Sequence, residues 1–466
     1  MANPSDPVYL KALLAIQPWA LHLCFISITI TGFLILSLPF RYTPAPDGRP
    51  RVVVLVLGDI GRSPRMQHHA LSIARKGGKV DLVGYNDTPP RQEILSNPSI
   101  YIHPLKPPPK FLDTSTATKF VFFAPFKALY QLLTLLDTLL YTIPITTGYV
   151  LVQNPPSIPT LVVAKVAAVL RGQKVVIDWH NFGYSILQMK LKEHPLVLGA
   201  KLYEIILGRI TADANFTVTA SMNKRLRESW GFKSPIHTLY DRPPSHFQPF
   251  SDSERATFLK ANADVAPYAD KILSGQTKLL ISSTSWTADE DFSLLLGALS
   301  VYDRRASAEN FLRPNSVPSI LAVITGKGPL RDGYMARVES LEFQYITVKS
   351  VWLEAEDYPK MIACADLGVS LHTSSSGMDL PMKVVDLFGV GVPVAAVRFE
   401  SVGELVKEGE NGVTFTTEDE LAGVLGRLFD PRRKQELEKL KAGALKETEN
   451  RWDQNWDKTA APVFSL

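Results

Sequence analysis

The residues best equipped for chemistry stand in short polar loops, and each loop follows an apolar run. Gly58-Asp59-Ile60-Gly61-Arg62-Ser63 follows the run 51–57. Gly61 permits close backbone approach to a ligand, Asp59 can accept a proton, and Arg62 can face an anion at a helix start. Asp178-Trp179-His180-Asn181 follows the run 174–177, and His180 is the side chain able to take a proton near neutral pH. Ser283 and Thr284, within Ser282-Ser283-Thr284-Ser285-Trp286, offer hydroxyls and amides suited to phosphate. Thr325-Gly326-Lys327-Gly328-Pro329 adds a lysine beside Gly326 but lacks the Lys-Ser/Thr pair of a Walker A loop. Further on, Ser376, Gly377 and Met378 lead into a predicted helix carrying Lys383 and Asp386. Amides at such a helix start can bind a diphosphate, Lys383 adds positive charge, and Asp386 can hold ribose hydroxyls. Each loop alone also reads as an ordinary turn with a capping residue; their joint placement at strand ends carries the functional reading. His68 and His69, inside the first predicted helix, read as structural or surface residues.

The elements that would position these loops alternate between strand and helix. Apolar runs at 51–57, 79–84, 149–153, 174–177 and 216–219 are separated by helical patterns at 63–76, 159–171 and 196–210. After Tyr240-Asp241-Arg242-Pro243-Pro244 the pattern restarts, with strands at 279–282, 319–325, 346–350, 367–371 and 393–396. Continuous rather than alternating apolar strands belong to parallel sheets covered on both faces. The expected fold class is α/β: two Rossmann-like halves, 50–244 and 270–430, facing each other across a cleft. A charged helical tail is expected at 431–466. No GxGxxG follows a strand, which excludes the dinucleotide fingerprint of a nicotinamide oxidoreductase.

With 466 residues, 45% of them apolar and 21% charged, the chain is long enough for two domains and is neither disordered nor fully polytopic. A net charge of +4 is far from the dense basic patch of a nucleic-acid binder, so no nucleic acid is expected. Two cysteines, Cys24 and Cys364, make neither a disulfide framework nor a zinc site, and fit a reducing compartment. No motif sets out metal ligands, so a divalent ion such as Mg²⁺ is compatible with the chemistry but not called for; the acidic Asp289-Glu290-Asp291 suits the first turn of a helix.

Segment 1–18 precedes a stretch, 19–38, with no Asp, Glu, Lys or Arg. Twenty helical residues reach about 30 Å, the thickness of a hydrocarbon core, so 19–38 is the expected transmembrane anchor. Arg41, Arg49 and Arg51 follow it, which favours a cytosolic catalytic body. A second apolar stretch, 120–149, contains Pro125, Lys127 and Asp137. The two charges argue against spanning, leaving a helix on the membrane surface or one packed in the core.

The motifs GDIGRSPRMQHHA (58–70), DWHNFGYSI (178–186), LYDRPP (239–244), SSTSWTADEDF (282–292), TGKGP (325–329) and SSSGMDLPMKVVDLFGVGVPV (374–394) closely resemble those of the eukaryotic chitobiosyldiphosphodolichol β-mannosyltransferase family. The resemblance runs in order along nearly the whole chain. It implies a GT-B glycosyltransferase of the endoplasmic reticulum membrane, single-pass, with its body on the cytosolic face. It implies inverting β-1,4 transfer of the first mannose from GDP-mannose to dolichyl-diphosphate chitobiose during N-glycan precursor synthesis, and complexes with other mannosyltransferases of that pathway. The 50–244 half would face acceptor and membrane, and the 270–430 half would bind GDP-mannose. His180 and Asp59 are the candidate bases, with direct contact to mannose an alternative role for His180. Arg62, Lys327, Lys383 and the amides of 376–378 would stabilise departing GDP. Asp386 matches the second acid of a wider glycosyltransferase pair, whereas Asp379 lies one residue off the usual spacing. The sequon Asn215-Phe216-Thr217 is expected to stay unmodified. A retaining α-mannosyltransferase of the same fold and an inactive pathway scaffold are the alternatives.

Overall fold

The computed structural model describes residues 20, 22–29, 31, 38–112, 114, 116–287 and 290–466. Most of the 19–38 span lies outside them, and residues 20, 22–29 and 31 are helical and exposed. One parallel sheet contains β1 (Arg51–Asp59), β2 (Lys79–Tyr85), β3 (Ile100–Pro104), β4 (Tyr149–Asn154), β5 (Lys174–Trp179), β6 (Ala214–Thr217) and β7 (Ile236–Thr238). Its order is β3-β2-β1-β4-β5-β6-β7. The other contains β8 (Thr277–Ser283), β9 (Ser319–Thr325), β10 (Ile346–Val351), β11 (Leu367–Ser370), β12 (Val394–Val397) and β13 (Gly412–Phe415), in the order β10-β9-β8-β11-β12-β13. All pairings between these strands are parallel. Winding reverses between β1 and β4 in one sheet and between β8 and β11 in the other. Ligand crevices form at such reversals, outside the strand C-termini.

The two-sheet α/β expectation holds. β1 is buried from Val52 to Leu57 because helices cover both faces, which is why its apolar residues run without alternation. The short edge strands β3, β7 and β13 escaped the sequence pattern. β3 contains a proline, and β7 is three residues long. The predicted strand 216–219 lies two residues earlier, at Ala214–Thr217. The polar Asn215 disguised its start: it is fully buried, bonded to Trp179 and Ser234. That burial agrees with an unmodified sequon.

The stretch 120–149 is packed in the core along one face and exposed along the other. Helix α1 (Pro64–Arg75) packs on the first sheet. Helix α2 (Ala117–Asp137) continues in a wider turn to Thr142. Leu135 and Leu139 enter the first domain's core, while Phe122 and Phe126, 68% and 62% exposed, point away from it. The span Lys119–Thr142 is long and apolar enough to cross a membrane, yet its inner face is committed to protein packing. Helix α3 (Gly183–Leu191) follows the Asp178–Asn181 loop, and helix α4 (Pro195–Thr211) runs after it. α4 exposes Leu198, Leu202, Ile206 and Ile210, one face at helical spacing.

The expected tail 431–466 divides: the helix Lys434–Glu447 buries Leu437 and Leu440 in the second domain's core, and 452–466 returns to the first domain. Helix α6 (Trp452–Thr459) inserts Trp452 and Trp456 among Val52, Met66, Ile73 and Phe216, and Phe464 completes that cluster. (Helix α5, Met382–Gly389, belongs to the second domain and opens after the loop 373–380.) Trp452 donates to Ser72 Oγ at 2.9 Å, and Trp456 donates to His69 Nδ1 at 3.0 Å. Residues 452–466 are therefore a packed part of the first domain's core. Trp456→Ala should lower unfolding free energy by about 3–5 kcal/mol, as expected for a fully buried tryptophan. Denaturant titration monitored by circular dichroism reads this; a loss under about 1 kcal/mol would show the tail to be dispensable.

Candidate active site

The strongest constellation forms at the C-terminal end of β5. Along the strand, Asp178 and His180 share one face while Trp179 takes the other, packing against Phe182, Trp230 and Phe232. Asp178 is fully buried. Arg65 of α1 grips it with two parallel hydrogen bonds, Nε to Oδ2 and Nη2 to Oδ1, both 2.9 Å. The other arm of Arg65 reaches Asp241 Oδ1 at 2.8 Å and Leu239 O at 2.9 Å, tying the interdomain segment to the site. Burial alone would raise the Asp178 pKa, but the Arg65 charge and the hydrogen bond from His180 outweigh it and hold the carboxyl well below the usual range.

That carboxylate assigns the protons of both neighbouring histidines. Indole nitrogen only donates, so His69 Nδ1 accepts from Trp456 and its proton sits on Nε2, 3.1 Å from Asp178 Oδ2. Burial keeps His69 neutral. His180 Nε2 lies 2.7 Å from the same oxygen, and an ionised carboxylate can only accept. Neutral His180 therefore carries its proton on Nε2 and keeps a lone pair on Nδ1. Its ring is 23% exposed, so the site side remains reachable. His68 and His69 prove to be interior residues, which settles the structural side of the sequence reading; burial holds His68 down near 3.

Asp59, the other candidate base, sits in a different environment. Its Oδ1 accepts from the amides of Gly61 at 3.2 Å and Thr88 at 3.1 Å, and Arg62 approaches Oδ2 at 3.5 Å. Burial raises its pKa, but the Thr88 and Gly61 hydrogen bonds and the Arg62 charge together lower it. The carboxylate holds the β1 and β2 loops together. Gly61 is required there, because a Cβ would strike the backbone of Thr88.

A residue outside the sequence reading anchors the loop after His180. Glu204 of α4 is fully buried and accepts from Asn154 Nδ2 at 2.8 Å, Ser157 Oγ at 2.9 Å, Gly183 N at 2.8 Å and Tyr184 N at 3.1 Å. It caps α3 from the side. A glutamate within an apolar helix was the only signal in the sequence.

Across the cleft, the loops after β8 and β9 lock backbone to backbone. Cβ atoms at Gly326 or Gly328 would overlap the carbonyls of Thr284 or Ser285. Thr284 N donates to Thr325 O at 2.8 Å, and Trp286, at φ +49°, donates from its indole to Gly326 O. Lys327 stacks over Trp352, 3.8 Å from the ring centre. Lys383 pairs with Glu290, whose other oxygen accepts from Thr284 Oγ1 and Ser285 N at 2.6 Å each. The sequence read Glu290 as helix-start charge; it instead ties Lys383 to the Thr284 loop. Ser283 joins a hydrogen-bond chain running from Thr325 Oγ1 through Ser283 and Tyr358 to Asp386.

The loop 373–379 closes on itself. Asp379 is bonded by Ser374 and by His372 at 3.3 Å, and Met378 N donates to Ser374 Oγ at 3.1 Å and Ser376 Oγ at 3.3 Å. Gly377, at φ +74°, makes the turn and donates to Ser374 O. The Gly377 and Met378 amides are thus engaged within the loop. The Met378 side chain enters the first domain's core cluster, and its carbonyl accepts from Thr219 at 2.7 Å. Asn181 and Ser185 both reach Ser375 Oγ, at 3.2 and 2.9 Å. The two domains meet beside His180 through these contacts. Among the described residues no group of three or more His, Cys, Asp or Glu is placed to hold a metal ion.

Asp386 supplies a pH test. Burial lifts its carboxyl to about 7, against the lowering effects of Tyr358, Arg91 and Lys383. A carboxyl raised in the folded state binds a proton that the unfolded chain has already lost above pH 4, so its contribution to stability disappears as pH rises towards 7. Asp386→Asn should therefore be more stable than the parent at pH 8 by roughly 2–4 kcal/mol, with the difference vanishing near pH 4. Urea unfolding at both pH values reads it; parallel pH profiles would place the Asp386 carboxyl at its ordinary value.

The family described as "Glycosyl transferases group 1" matches residues 308–430. A chitobiosyldiphosphodolichol β-mannosyltransferase from Yarrowia lipolytica is 44% identical over 422 residues, covering 90% of this chain and 87% of that protein. The Homo sapiens protein of the same name is 40% identical, covering 88% and 92%. Among solved structures, Anabaena HepE in complex with UDP-glucose superposes with a TM-score of 0.63 over 90% of this chain and all of that one, at 15% identity, a likeness of fold. The chain is a glycosyltransferase and belongs to the chitobiosyldiphosphodolichol β-mannosyltransferase family.

Proposed function

We propose that this chain transfers mannose from GDP-mannose to the 4-hydroxyl of dolichyl-diphosphate chitobiose, with inversion, at the cytosolic face of the endoplasmic reticulum membrane. The observation that carries the reading is the near full-length relationship to mannosyltransferases named for that acceptor. The site supports it chemically. The acceptor oxygen attacks the anomeric carbon, the bond from that carbon to the diphosphate breaks, and GDP leaves. His180 Nδ1 takes the hydroxyl proton, while Asp178 stabilises the resulting imidazolium through Nε2. Asp59, committed to the loop amides, is the second choice.

Arg62, Lys327 and Lys383 supply positive charge for the departing diphosphate, together with the loops carrying Ser283, Thr284, Gly326 and Ser376; the Gly377 and Met378 amides, bonded within their own turn, drop out of that role. Asp386 accepts from the ribose. No divalent ion is required by this scheme. The lipid substrate lies in the bilayer, where the 19–38 anchor and the outer face of α2 hold the cleft at headgroup height.

His180→Ala should fold normally and lose about 10²–10³ in turnover, the usual weight of a positioned base. The assay uses radiolabelled GDP-mannose, lipid-linked chitobiose and β-mannosidase digestion of the product, with UDP-glucose as the competing donor. Near-full turnover of His180→Ala would remove it as the base. Product resistant to β-mannosidase would establish retention, and no product from folded, reconstituted protein would indicate a scaffold. A variant lacking residues 1–40 should still sediment with liposomes; full solubility would separate α2 from membrane contact.

A further inference from the structure

Beside His180 the first domain carries a separate apolar recess of about 310 Å³. Phe120, Pro156, Ile158, Tyr184, Ile186 and Leu187 form most of its wall. Two observations tie it to the site. Its inner wall includes Gly183, three residues after His180, and the 155–158 segment that follows Asn154, whose carbonyl accepts from His180 N at 2.8 Å. Buried Glu204 bonds Ser157 and Gly183 together, so the recess and the His180 loop share one support. The polarity is also graded. Most of the lining is apolar, while Lys190 in its wall holds Nζ over Phe120 at 4.9 Å and donates to Thr114 O, and Lys201, behind the lining residue Tyr184, holds Nζ over that ring at 5.3 Å. The two helices that contribute Phe120 and Ala200 to the recess also expose Phe122 on α2 and Leu198 and Leu202 on α4.

We propose that this recess binds the isoprenoid chain of the acceptor next to its diphosphate, with Lys190 and Lys201 matching the diphosphate's charge. An apolar concavity flanked by cations suits an amphiphile with an anionic head, and the exposed faces of α2 and α4 give the remaining chain a path into the bilayer. The inference rests on the acceptor reading given under Proposed function and adds a selective site to it: the recess recognises the lipid as substrate, whereas the exposed helix faces meet any membrane.

Full-length protein in detergent micelles is assayed with chitobiosyl diphosphate carried on a long polyisoprenyl chain or on a hexyl chain. The long chain should raise kcat/KM at least ~10-fold, a difference of about 1.4 kcal/mol. Ala200→Phe, which projects into the recess from α4, should shrink that preference at least ~5-fold, and Ile186→Glu should do the same. Leu198→Phe, on the outer face of α4, should leave it intact. A farnesyl diphosphate carrying a photoreactive terminus should label 155–158 or 184–190, and geranylgeranyl diphosphate should displace it. Equal displacement by phosphatidylcholine would overturn the proposal in favour of a general lipid surface. Labelling elsewhere, or an unchanged chain preference in both Ala200→Phe and Ile186→Glu, would also overturn it. Failure of the parent protein to use either acceptor would instead sink the acceptor reading itself.

Discussion

The site is organised around the Asp178 carboxylate, which is taken wholly out of water. An isolated ion in that position would cost several kcal/mol, and its persistence depends on partners that meet it from three directions. Arg65 comes from α1, His69 from the next turn of the same helix, and His180 from the loop that follows β5. Asp241 and Leu239 occupy the remaining arm of Arg65, which brings the interdomain segment into the same network. Trp456 then fixes the tautomer of His69. Thus the far C-terminal helix bears on the proton positions of the His180 loop through three hydrogen bonds and one buried ion. The usual trade for such a cluster is clear: charge buried at a cost, in return for side chains that have one arrangement.

The second domain supplies contacts of another kind. Its loops after β8 and β9 approach so closely that Gly326 and Gly328 are required by space, and the Lys383–Glu290 pair fastens α5 to them. Contacts across the cleft are mostly single hydrogen bonds, from Asn181 and Ser185 to Ser375 Oγ and from Thr219 Oγ1 to the Met378 carbonyl. Glu404 adds a stronger tie, accepting from Ala220 N at 2.7 Å, Ser221 N at 2.8 Å and Tyr240 Oη at 2.9 Å. The domains are joined firmly at the hinge and more lightly beside the cleft, an arrangement compatible with closure around a donor.

Outside the cleft, α2 and α4 turn apolar faces to the exterior while their inner faces complete the first domain's core. This explains why composition left 120–149 undecided. A helix apolar on nearly all sides is what a membrane span and a half-buried surface helix have in common. Sequence spacing finds the stripe that packs inwards, but cannot weigh the stripe that remains.

Much of the architecture was legible in the sequence because its causes are local. Parallel strands covered on both faces must be continuously apolar, and their ends must turn, so β1, β5, β8 and β9 and their polar loops stood out. The edge strands β3, β7 and β13 did not, because short, partly exposed strands carry no such run. Motif spacing also pointed to His180, Lys327, Lys383 and Asp386. What the sequence by itself determined, then, was the alternation of elements and the polar loops at their ends. Tertiary structure alone decided which residues share a site. Arg65 and Asp178 are 113 positions apart, Trp456 and His69 are 387, and Glu204 looks like an interruption in an apolar helix until the chain ends it caps are brought to it. Side-chain electrostatics act over a few ångströms of space, not along the chain, so the protonation pattern of Asp178, His69 and His180 exists only once the sheet, α1 and the returning C-terminal helix are packed together.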